Sequence, residues 1–157
     1  MNKMELGVAL IRGIEQRVQW LGKYNETRRQ VDFVTALRLE KESWRETIMR
    51  EVAWQLEVDR RRDFVVSNMA QMNINFETRF LHQAESTQVA AAFYNVELYR
   101  KAALDRIAAN EDFIWLTSNE ICDGVTEDGL RIDPLLVLLN KEAQVIQYWE
   151  SDVAGDR

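Results

Sequence analysis

Chain breakers are scarce in this 157-residue protein. The one proline is Pro134 and the six glycines fall at 7, 13, 22, 124, 129 and 155, so residues 23 to 123 contain neither. Strand-rich and alternating α/β chains punctuate themselves often with these residues, so their absence over such a stretch excludes both classes and predicts an all-α protein. A single cysteine, Cys122, excludes an intramolecular disulfide and a thiolate metal site, in keeping with a reducing, cytoplasmic setting. No run of 18 uncharged apolar residues is present, which excludes a membrane-spanning helix, and the start Met1-Asn2-Lys3-Met4-Glu5 lacks the pattern of a secretory signal.

What is present is a folding composition. With 46% hydrophobic and 29% charged residues the chain is too apolar for disorder and reads as one domain over 1–150, with a polar tail over 151–157. Met4, Gly7, Ile11, Ile14, Val18 and Leu21 recur at spacings of three and four, predicting a first helix that Gly22 ends. Val34, Leu37, Trp44, Ile48, Val52 and Leu56 form the stripe of a second helix; Ser43 with Glu46 matches a capping box, but the stripe runs through it and the helix is read as continuous from 26 to 66. Ser67 to Asn75 reads as a kink, and Phe80 to Ala102 as a helix whose small residues, Ala84 to Ala92, let a neighbour approach closely.

Asn110 with Glu111 and Asp112 predicts a short helix over 111–121, an Asp-Gly pair predicts a small β-hairpin at 124–133, and Asp133-Pro134 opens a last helix. A helix from 26 to 66 would span about 60 Å, more than the ~40 Å diameter of a compact domain this size. The expected architecture is therefore an elongated antiparallel bundle of four to five helices, with close helix packing at Gly7, Ala84 and Ala91.

Catalytic constellations are not evident. His82 is the only imidazole and Arg79 stands three residues before it, so a Glu-x-x-His di-metal site is excluded. Glu42/Glu46 and Asp59/Asp63 place carboxylate pairs on one helix face, which reads as solvated charge balanced by arginines. Cys122 adjoins Asp123, which raises a thiol pKa and disfavours a nucleophile. No glycine-rich phosphate loop is found, and no cofactor or metal is expected.

Charge is unevenly spread. Residues 1 to 62 carry 13 basic and 10 acidic side chains, whereas the chain as a whole has a net charge of −6. Arg60, Arg61 and Arg62 fan around a helix between Asp59 and Asp63 and form no continuous basic stripe, which speaks against nucleic acid. The positive half instead predicts contacts with the negative half, within or between subunits. Trp44 and Trp54 cannot share one narrow seam, so one of them is a candidate contact residue, as are Arg60, Arg61, Arg62 and the acidic tip Asp123, Glu127 and Asp128. The expected function is a non-enzymatic assembly subunit that self-associates or packs into a larger particle. The alternatives are a small acidic binding protein, such as an inhibitor, immunity protein or chaperone, and a carboxylate-dependent helical enzyme.

Overall fold

The computed structural model describes residues 2–78 and 86–149. Over these residues the chain is mixed α/β, with 39% strand against 27% helix, which overturns the all-α expectation. The order is β1 (Asn2–Gly13), β2 (Gln19–Asn25), β3 (Gln30–Asp32), β4 (Thr35–Leu37), α1 (Trp44–Leu56), β5 (Phe64–Val66), β6 (Met72–Thr78), β7 (Thr87–Leu98), α2 (Lys101–Ala109), β8 (Phe113–Thr117), α3 (Ser118–Asp123), β9 (Arg131–Ile132) and α4 (Pro134–Ala143).

The spine is β1 paired in parallel with β7, in register from Asn2↔Thr87 to Gly13↔Leu98. Antiparallel β4 lies on the outer edge of β1, while the outer edge of β7 is shared by β6 and β5. A second, four-stranded sheet runs β8-β2-β3-β9. Both faces of the first sheet are covered. Ala9, Ile11, Ala92, Tyr94, Val96 and Leu98 pack with Ile48, Val52 and Leu56 of α1 and with Leu104 and Ile107 of α2. Leu6, Val8, Leu10, Val89 and Phe93 pack on the opposite side with Leu136 and Leu139 of α4.

Burial on two faces explains why β1 imitates a helix. A strand covered on both sides needs no polar alternation, so Leu6-Gly7-Val8-Ala9-Leu10-Ile11 is uniformly apolar and satisfies a three-four spacing as easily as a two-residue one. The glycine read as a helix stop, Gly22, lies within β2, where a Cβ would come 2.5 Å from Val31 Cγ1. The continuous 26–66 helix is in fact β3, β4, α1 and β5, and Ser43 is a true N-cap that accepts from the Glu46 amide. The 111–121 helix is β8 followed by the short α3, which Thr117 and Glu120 open with a capping box.

The close helix packing expected at Gly7 and Ala91 is corrected to strand packing. Gly7 lies in β1, where a Cβ would stand 2.9 Å from Ile48 Cδ1, so α1 rests almost directly on the strand backbone. Ala91 lies in β7, buried between its partners Leu6 and Ile74. His82 and Ala84 lie outside the described residues. Around 124–133 the chain does turn back, with Val125 bridging Arg131, but β9 pairs in parallel with β3 and does not complete a hairpin. Asp133 caps α4 with Pro134 in its first turn, as the sequence predicts. No helix among the described residues is long and apolar enough to cross a membrane.

Candidate functional site

Helix α1 carries a connected set of ionic and polar side chains. Glu42, one residue before the N-cap, accepts hydrogen bonds from Thr47 Oγ1 at 2.6 Å and from Arg50 Nε and Nη2 at 3.0 and 3.1 Å. A two-pronged guanidinium contact of this kind fixes both partners. Arg50 donates through Nη1 to Glu51, and Gln55 Nε2 donates to Glu51 Oε1 at 3.0 Å. From the second sheet, Lys23 Nζ reaches the Gln55 carbonyl at 3.5 Å and stands 5.4 Å from the centre of the Phe113 ring. The result is a chain of groups, Thr47–Glu42–Arg50–Glu51–Gln55, running along one helix and meeting Lys23 at its end.

The Arg50 guanidinium, followed by the Thr47 hydroxyl, holds the Glu42 carboxyl down at about 2, and Glu42 in turn raises Arg50. A carboxyl whose folded pKa lies below its unfolded value stabilises the fold above the unfolded pKa, and that contribution is lost as pH falls towards the folded pKa. We therefore expect melting temperature to drop between pH 4.5 and pH 2 more steeply in the wild type than in Glu42→Gln. Equal slopes in parallel thermal melts would show that Glu42 is not the responsible group.

The residues singled out from sequence are dispersed. Trp44, at the start of α1, is half-buried with the Arg38 guanidinium 5.6 Å from its ring, whereas Trp54 is 77% exposed. Arg60, Arg61 and Arg62 are exposed in the turn after α1, which Asp59 and buried Asp63 organise by accepting the amides of Arg61 and Asp59, each at 2.7 Å. Asp123 ends α3, and Glu127 and Asp128 occupy the exposed turn beyond it, where the Glu127 amide donates to Glu120. These three sets do not meet in one site. Cys122 is half-buried beside α4, and burial and then Asp123 push its thiol pKa up, which fits packing.

Helical i,i+4 spacing would pair Arg50 with Glu46, but the structure gives Arg50 to Glu42 and Glu51. The signal for the correct pairing was present. Once Ser43 is accepted as the helix cap, Glu42 becomes a pre-helix residue that can fold back over the first two turns.

A divalent cation does not fit this arrangement. Glu42 and Glu51 already share one cation, the Arg50 guanidinium, and the next polar neighbour, Gln55, is neutral. Among the described residues no group of three or more His, Cys, Asp or Glu side chains is placed to hold a metal ion.

Compared by sequence, the chain matches no protein-family model and no curated protein. Compared by structure it is similar to several solved proteins. One is the dihydroneopterin triphosphate pyrophosphohydrolase of E. coli, at TM-score 0.60 and 13% identity over 93% of this chain and 98% of that one. A second is a mutT/nudix family protein from Listeria innocua, at TM-score 0.58 and 9% identity over 90% and 92% of the two chains. A third is the C. elegans Ap4A hydrolase, at TM-score 0.54 and 8% identity over 78% and 86%. The expectation of a non-enzymatic assembly subunit rested on long helical seams that the described residues do not form, and it gives way to this likeness to hydrolases. The architecture described above, two curled mixed sheets with four helices, is the Nudix fold.

Proposed function

We propose that the protein is a hydrolase that cleaves a pyrophosphate linkage in a small phosphorylated compound. The observation that carries this reading is the likeness in fold to the E. coli pyrophosphohydrolase, which extends over nearly the whole of both chains. Water adds across a P–O–P bridge: its oxygen joins one phosphorus, and the bridging oxygen leaves with the other phosphate. Negative charge grows on the phosphate oxygens, so the site must supply cations and a group that orients the water. Beside α1 the cation not already paired with a carboxylate is Lys23 of β2, and the oriented group is Glu51, held by Arg50 and Gln55. Glu42 fixes Arg50 and stays ionised throughout.

The test is a panel of nucleoside triphosphates, dinucleoside polyphosphates and nucleotide sugars, each incubated with and without added Mg2+ and analysed for phosphate-ester products by mass spectrometry. At least one compound should be split at its pyrophosphate bridge. For that compound Glu51→Gln should lower kcat by about tenfold or more, since a positioned carboxylate contributes through the proton it accepts. A panel left intact under every condition, or bound without cleavage, would overturn the reading.

A further inference from the structure

On the face of the first sheet opposite α1, the β1–β2 turn and the segment after α4 enclose a groove that the proposed hydrolytic chemistry does not use. A cavity of about 460 Å³ lies at the ends of β1, β5 and β7, lined by Arg12, Arg17, Ser67, Asn95 and Glu97 among others. It continues past the same two arginines into a hollow of about 300 Å³ beside Trp20, Tyr148 and Trp149. We propose that this groove is a second ligand site, for a planar heterocycle joined to phosphate, of the nucleoside diphosphate class.

Three observations carry the assignment. The first is charge. Among the described residues neither Arg12 nor Arg17 makes an ion pair, in a chain where acidic groups outnumber basic ones. The one carboxylate lining the larger cavity is the exposed Glu97, Arg12's partner in the β1–β7 register.

The second is order. The Arg12 guanidinium stacks 4.7 Å from the centre of the Trp20 ring and donates to the Arg17 carbonyl at 2.8 Å, while Arg17 Nε donates to the Ile14 carbonyl at 3.3 Å. Each arginine has five N–H donors, so this anchoring leaves most of them to meet an anion. Trp20, at the start of β2 and beside the smaller hollow, keeps a buried Nε1 that has no partner among the described residues.

The third is the aromatic wall. Tyr148 is 53% and Trp149 43% exposed, yet the Trp149 backbone is tied down by its amide, which donates to Asn119 Oδ1 at 2.7 Å. Large exposed rings on a fixed backbone are stacking platforms for a base. Beyond Trp149 the surface is lined by Glu120, Asp123 and Glu127, which confines the phosphates to the arginine end.

The probe is ADP, with adenosine and pyrophosphate as its separate halves, followed by tryptophan fluorescence and calorimetry on the full chain. ADP should quench the emission saturably, and each half alone should bind about tenfold more weakly or worse, because only ADP engages both ends. Arg17→Gln and Trp149→Ala should each raise the ADP Kd about fivefold or more, through a lost charge-assisted contact and a lost stacking face. Glu51→Gln on α1 should leave it unchanged. No saturable ADP binding, or binding indifferent to both groove substitutions, would overturn the proposal, as would binding lost with Glu51→Gln, which would place ADP on α1. The hydrolase reading is judged by product formation and Glu51, so either conclusion can fail while the other stands.

Discussion

Replacing Ile48 by alanine is expected to lower stability by about 2 to 5 kcal/mol, the range for removing three carbons from a filled core. The upper half of that range is expected, because the site cannot close. Ile48 is wholly buried, and its Cδ1 would stand only 2.9 Å from a Cβ at Gly7, so the helix already lies as near the strand as the backbone permits. Urea denaturation would show the loss as a lower midpoint with an unchanged slope. A loss below about 1 kcal/mol would mean that α1 is not seated on β1 as described. Gly7→Ala sharpens the test. Alone it presses a methyl group into Ile48 and should cost about 1 to 3 kcal/mol by overpacking. In the Ile48→Ala background the same methyl enters the vacated space, so the double variant should be more stable than the two single losses predict.

The same contact shows what the sequence does and does not convey. Ile48, Val52 and Leu56 were legible as one apolar stripe, and they do form the buried face of α1. The limits of that helix were not legible, for a definite reason. A helix that ends on glycine announces its end, whereas α1 ends on Glu57 and α4 on Gln144, both held in the left-handed conformation at φ 54°. That conformation strains residues bearing a Cβ, and only the surrounding fold maintains it. Without a visible stop, the stripe could be extended through β3, β4 and β5. Asp133-Pro134, by contrast, is a local signal, because proline presets φ and the Asp side chain caps the Leu135 amide at 3.0 Å.

The same missing stop conceals the α1 network. With Glu42 inside a continuous helix, a contact to Arg50 eight residues away is geometrically impossible, and only i,i+3 and i,i+4 pairs are open to either residue. With the helix beginning at Trp44, Glu42 is free to turn towards Arg50. The parallel β1–β7 pair joins residues more than 80 positions apart, and no local pattern reports such a partnership.

Asn140→Leu is expected to cost about 2 to 4 kcal/mol, although it places an apolar side chain in a buried position. Asn140 is 5% exposed on α4, and its amide closes a two-way bridge: Nδ2 donates to the Ile146 carbonyl and Oδ1 accepts from the Ile146 amide, both at 2.8 Å. Leucine fills the space but leaves both backbone groups of Ile146, itself 4% exposed, without these partners. The cost should appear in thermal or urea unfolding, and native-state hydrogen exchange should show the Ile146 amide losing protection. An unaffected Ile146 amide would remove the bridge from the account. Asn140→Asp separates polarity from pairing. An aspartate can accept from the Ile146 amide but, when ionised, faces the Ile146 carbonyl with like charge, so burial raises its folded pKa above its unfolded value of about 4. A raised acid pKa is stabilising only while the group stays protonated, so the deficit relative to wild type should be smallest below about pH 4 and grow as pH rises. Because this bridge also positions the segment bearing Tyr148 and Trp149, both substitutions should weaken ADP binding in the groove, with the Asp variant recovering affinity at low pH along with its stability.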